Sequence, residues 1–74
     1  MTIPEHIIDD AVDAILAARD FCGDERAASS EVCVDHGLFS REARARVHRI
    51  ATHRANRIWD GFRAAAGVQE TPSL

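Results

Sequence analysis

Three neighbouring residues, Cys33, Asp35 and His36, supply a nucleophile, an acid and a base by type. Bond-making chemistry needs such groups to converge on a cleft, and three residues within one helical turn cannot present one. Five residues carry the right atoms for zinc: Cys22, Cys33, His36, His48 and His53. Cys33 and His36, three apart, can reach one ion from a single helix. His48 and His53 are five apart and point to different faces, so no second close pair completes a tetrahedral set. Neither a glycine-rich phosphate loop nor a nucleophile elbow occurs. The expectation is a non-enzymatic chain with no cofactor and no metal.

Recognition of charge has better material. All nine basic residues are arginine, and Arg41, Arg44, Arg46, Arg49, Arg54, Arg57 and Arg63 fall on one stretch. Arginine suits phosphate and the guanine edge through its planar fork of donors. Around the first of them, Val32 and Cys33 precede Gly37 and Leu38, after which Ser40 caps a helix and Val47 points inward. This segment, Glu31 to Ile50, resembles a helix-turn-helix. The resemblance implies that Arg41, Arg44, Arg46 and Arg49 face a nucleic-acid groove. The turn is one residue longer than in that motif, and Arg44 takes a place where the motif carries an apolar residue.

The balance of charge opposes a polyanion. The chain has net charge −3, with nine acids and two arginines in Met1 to Leu38 and three acids and seven arginines in Phe39 to Leu74. A net −7 half would weaken the counterion release that drives nonspecific binding to nucleic acid. Glu5, Asp9 and Asp13 stand at successive i, i+4 positions, a row that is either solvated or met by arginines of the later helix.

The elements that must position these residues read as helices. Thr2, Ile3, Pro4 and Glu5 form a capping-box pattern. A first helix follows with Ile7, Ile8, Ala11, Val12, Ile15, Ala18 and Cys22 on one face, and Gly23 is its expected stop. Asp24 caps a second helix to about His36, weakened by Ser29 and Ser30 at its middle and ended by Gly37. Leu38 and Phe39 suggest a connection clamped into the core. From the Ser40 cap, apolar residues recur at Ala43, Val47, Ile50, Ala51, Ala55, Ile58, Phe62, Ala65 and Ala66, and Gly67 is the expected terminator.

The fold class is therefore all-α: a three-helix arrangement over residues 1–67 with a long C-terminal helix, followed by a flexible tail at 68–74. A 26-residue helix is ~39 Å long. That exceeds the ~29 Å diameter of a compact domain of this size. The helix should overhang, with an apolar band wider than the ~100° stripe that one neighbour covers. Self-association, or docking on a larger protein, is expected through Trp59, Phe62, Arg63, Ala55 and Ala66, with Arg63 stacked on the indole. The longest apolar run, Ala14 to Ala18, is far short of the ~20 residues that span a bilayer. With acids and no basic run at the N-terminus, the default compartment is the cytoplasm.

Overall fold

The computed structural model of the chain describes residues 2–70 and contains three helices, α1 (Glu5–Asp20), α2 (Glu25–Asp35) and α3 (Arg41–Glu70). Each is packed against the other two. The buried positions of α1 are Ile7, Ile8, Ala11, Val12 and Ile15, the i, i+4 pattern of an amphipathic helix. Those of α3 make an unbroken row at four-residue spacing: Ala43, Val47, Ala51 and Ala55. Three of these four are alanine, so nothing larger than a methyl holds the neighbouring backbone away along most of the row. Cys33 of α2 completes the centre, and Ile3, Leu16, Val32, Leu38 and Ile50 pack around it.

Two of the expected caps form. The Asp24 carboxylate accepts from the Ala27 amide at 3.1 Å, and the Ser40 hydroxyl accepts from the Ala43 amide at 3.0 Å. At the end of α2, Gly37 takes φ +80°, its amide donates to the Val34 carbonyl, and the Leu38 amide reaches back to Cys33 at 2.8 Å. This is a Schellman motif, and Leu38 is the apolar residue that it folds onto the core.

Four local expectations are corrected. The capping box at Thr2 is not made: Pro4 is the N-cap of α1 and no side chain caps it. The Glu5 carboxylate instead pairs with Arg54 of α3 at 2.6 Å. The stop of α1 lies one residue earlier than Gly23, because Cys22 takes the left-handed conformation (φ 55°). Phe39 is exposed rather than clamped, since the motif spends its inward-facing position on Leu38. Finally, α3 keeps Gly61 within one unbroken helix, as expected, but runs past Gly67 to Glu70. Glycine permits a left-handed exit without compelling one. It costs a helix about 1 kcal/mol relative to alanine, and no proline follows until Pro72. From residue 71 the expected tail lies outside the described residues.

The molecule measures 52 × 23 × 16 Å with a radius of gyration of 14.6 Å. A compact chain of this length would have ~11 Å. The excess is α3, which at ~1.5 Å per residue is ~45 Å long. From Asp60 to Ala65 every residue is exposed, so the C-terminal part of the helix stands clear of α1 and α2.

Candidate functional site

Three features of the surface hold functional groups: the base of the α3 overhang, the seam between α2 and the start of α3, and the junction of α1 with the middle of α3.

At the overhang, helical geometry allows a direct comparison of two positions. Ile58 follows Val47 by eleven residues, three turns within about 20°, so both side chains leave the helix on nearly the same bearing. Val47 is fully buried, yet Ile58 is 42% exposed. The apolar face continues after its cover has ended. Phe62, one turn on, is 68% exposed, and Trp59 is half-buried. Leu16 and Asp20 of α1 join Trp59, Phe62 and Arg63 around a shallow, mostly apolar hollow of about 390 Å³.

The guanidinium that covers the Trp59 indole belongs to Arg19, 5.5 Å from the ring centroid, where Arg63 was expected. Arg19 lies in the last turn of α1, the favourable end of the helix dipole for a cation. The same side chain donates to both Glu25 carboxylate oxygens, at 2.7 and 3.3 Å. This hydrogen-bonded pairing raises the Arg19 pKa and lowers that of Glu25. One arginine thus ties α1, α2 and α3 together beneath the overhang. Ala55, placed on the association surface by its spacing, is fully buried in the core and contributes no exposed area. The side chain of Ala66 lies outside the described residues.

Along the seam of α2 with α3, polar residues replace apolar ones. Ser29 is 1% exposed. Its hydroxyl lies 3.1 Å from the Arg26 carbonyl and 2.7 Å from His48 Nδ1. His48 Nε2 is 3.4 Å from the Thr52 hydroxyl. A consistent chain has Thr52 donating to Nε2, Nδ1–H donating to Ser29, and Ser29 donating to the carbonyl. Next to it, Arg44 donates to the Ser30 hydroxyl at 3.1 Å. Its Nε is buried and has no hydrogen-bond partner among the described residues. Burial pushes the Cys33 thiol up, with Arg44 pulling weakly the other way.

At the junction of α1 with α3, Arg54 bridges Glu5 (2.6 Å) and Asp9 (3.7 Å), so the acidic row is met by the arginine helix. The hydrogen bond from Arg54 holds the Glu5 carboxyl below its usual range. His36 is 2.8 Å from Asp10 across the α1–α2 interface, with the His6 ring edge-on at 5.3 Å.

The residue types weighed for chemistry are dispersed. Cys33 points into the core, His36 turns to Asp10, and His48 bonds to Ser29. Among the described residues, no group of three or more His, Cys, Asp or Glu side chains is placed to hold a metal ion. The four arginines of the helix-turn-helix reading divide between two flanks of α3. Arg41 and Arg44 face the α2 seam, whereas Arg46 and Arg49 line a hollow with Ile3 and Glu42.

Sequence reasoning missed Arg19, Leu16, Asp20, Arg26 and Ser30. Each acts across helices, where periodicity carries no signal. The geometry defines a small three-helix protein with an apolar overhang and a polar seam. Comparison with family models, curated proteins and solved structures finds no match to this chain. Among the described residues no helix is long and apolar enough to cross a membrane.

Proposed function

We propose that this protein is a non-enzymatic helical interaction module that pairs with a second copy of itself through the overhanging half of α3. The observation that carries this reading is the exposure of Ile58 on the bearing of buried Val47, with Trp59 and Phe62 beside it. Aromatic side chains and arginine contribute most of the energy of protein interfaces. Here they surround one hollow.

The border of the hollow favours a copy of the same chain over an unrelated partner. It carries one acid, Asp20, and one base, Arg63. A two-fold axis through the patch brings each Arg63 towards the partner subunit's Asp20, so the surface is self-complementary in charge as well as apolar. The fixed Arg19–Trp59 contact adds pre-organisation, which lowers the ordering cost of association.

Sedimentation velocity across a concentration series tests the proposal. A dimer is expected, and Phe62→Asp weakens it by about 2 kcal/mol or more. Helical circular dichroism should stay unchanged, because Phe62 lies outside the core. The charge reversal Arg63→Asp weakens pairing, and adding Asp20→Arg restores it. A single monomeric species up to about 1 mM, where even ~4 kcal/mol of association would show, refutes self-association.

A further inference from the structure

At the seam between α2 and the first turns of α3, the side chains of Arg26, Ser30, Arg41, Arg44 and His48 line one recess of about 210 Å³. We propose that this recess is a binding site for a phosphate group, either inorganic phosphate or the terminal group of a small phosphomonoester.

Three arginines line the recess in a chain whose net charge is −3. None of the three forms an ion pair among the described residues, in contrast to Arg19 and Arg54, which are paired with acids. Glu25, the carboxylate whose charge reaches His48, is already engaged by both hydrogen bonds from Arg19. The recess therefore collects positive charge that its surroundings do not neutralise.

Arg44 is held in the wall of the recess by its bond to Ser30, and its Nε is a buried donor. Nine in ten or more buried polar groups in folded proteins have a hydrogen-bond partner. This donor has none among the described residues. Closed off from the open recess, that N–H is a cost of the packing and plays no part in holding a ligand. A tetrahedral oxyanion compensates the charge of the recess, its oxygens taking the terminal guanidinium nitrogens of Arg26, Arg41 and Arg44 and the hydroxyl of Ser30.

Size selects the ligand. The recess has room for about seven waters at ~30 Å³ each. Sites for drug-sized ligands and cofactors begin near ~300 Å³. A phosphate group fits, whereas a nucleotide would project into solvent. The acidic α1 also disfavours a long polyanion, whose many charges it would repel.

The test is a ¹H–¹⁵N NMR titration of the full chain with inorganic phosphate, and separately with phosphoserine, against sodium chloride at matched ionic strength. Saturable shifts are expected at Ser30, Arg44, Ala45 and His48 with phosphate and not with chloride. Tighter binding of phosphoserine assigns a phosphomonoester, and tighter binding of inorganic phosphate assigns the free anion. Arg26→Gln and Arg41→Gln change exposed side chains outside the core, and each weakens binding about tenfold. Arg44→Met removes the guanidinium between Ser30 and the recess and abolishes binding, with circular dichroism reporting whether that variant folds. Shifts that are linear, match those with chloride, or survive in the Arg26→Gln, Arg41→Gln double variant overturn the proposal. So does a short DNA duplex that binds at moderate salt more tightly than either phosphate probe.

Discussion

The most discriminating test of the backbone lies in the two residues after α1. Cys22 holds φ 55°, a conformation that costs an L-residue roughly 1–2 kcal/mol. It is held there by the Schellman bonds of α1, in which the Cys22 amide donates to Arg19 at 3.3 Å and the Gly23 amide to Ala18 at 2.7 Å. Cys22 is exposed, so replacing it by glycine loses no packing. The gain is the relieved strain less the ~0.5–1 kcal/mol of extra unfolded-state entropy that glycine brings, a net of about 0.5–1 kcal/mol. For a domain of this size that raises Tm by about 2–8 °C. Two controls fix the sign. At Gly23 an added Cβ would meet the Ala18 carbonyl at 3.4 Å, an ordinary contact, so Gly23→Ala is neutral or slightly stabilising. At Gly37, with φ +80°, Gly37→Ala costs about 1–2 kcal/mol despite open space around it. The assay is urea and thermal melting by circular dichroism under reducing conditions, at one protein concentration because association would otherwise move the midpoints. Destabilisation by Cys22→Gly together with tolerance of Gly37→Ala would refute the reasoning, since the left-handed residues would then be misplaced.

Two further outcomes follow from the core and the ion pairs. Ile15→Ala removes one of the largest fully buried side chains and should cost about 2–5 kcal/mol in urea melts. A 74-residue domain has only roughly 4–11 kcal/mol in total, so the variant should sit near its unfolding midpoint at low denaturant. Glu5 and Glu25 have carboxyl pKa values lowered by Arg54 and Arg19. Their pairing contributes stability above the ordinary glutamate value of 4.5 and loses it as pH falls through the lowered values. Thermal midpoints should hold level from pH 7 to about 5 and drop below about 4.5, and Glu5→Gln with Glu25→Gln should flatten that drop.

Much of the fold was legible because its signals are local. Asp24 and Ser40 cap the helices that they precede, and Gly37 with Leu38 closes α2 in the expected way. Local signals failed where a distant residue competed. Glu5 satisfies the sequence requirement of a capping box, but a charged partner on α3 outbids a backbone amide. Ser29 and Ser30 read as weaknesses in a helix, whereas across the seam they meet His48 and Arg44. The arginines illustrate the same limit. Spacing placed seven of them on one helix, and only packing decides which face an acid or a polar recess.

The proposed association surface and the core are one geometric feature. A step of four residues turns an α-helix by one revolution plus about 40°. The row Ala43, Val47, Ala51, Ala55 therefore rotates by about 120° along its length, and its next member is Trp59. Through Ala55 the row stays buried, between two helices that both pack on α3. At Trp59 the row reaches the last turn of α1, which ends at Asp20. A methyl there would leave a gap, whereas an indole reaches the Arg19 guanidinium and closes the top of the bundle. The half-burial of Trp59 follows from that position: one face seals the monomer, the other begins the surface that Ile58 and Phe62 extend. A helix ending near Asp60 would have sufficed for the first task, and the proposed pairing gives the turns beyond it a use.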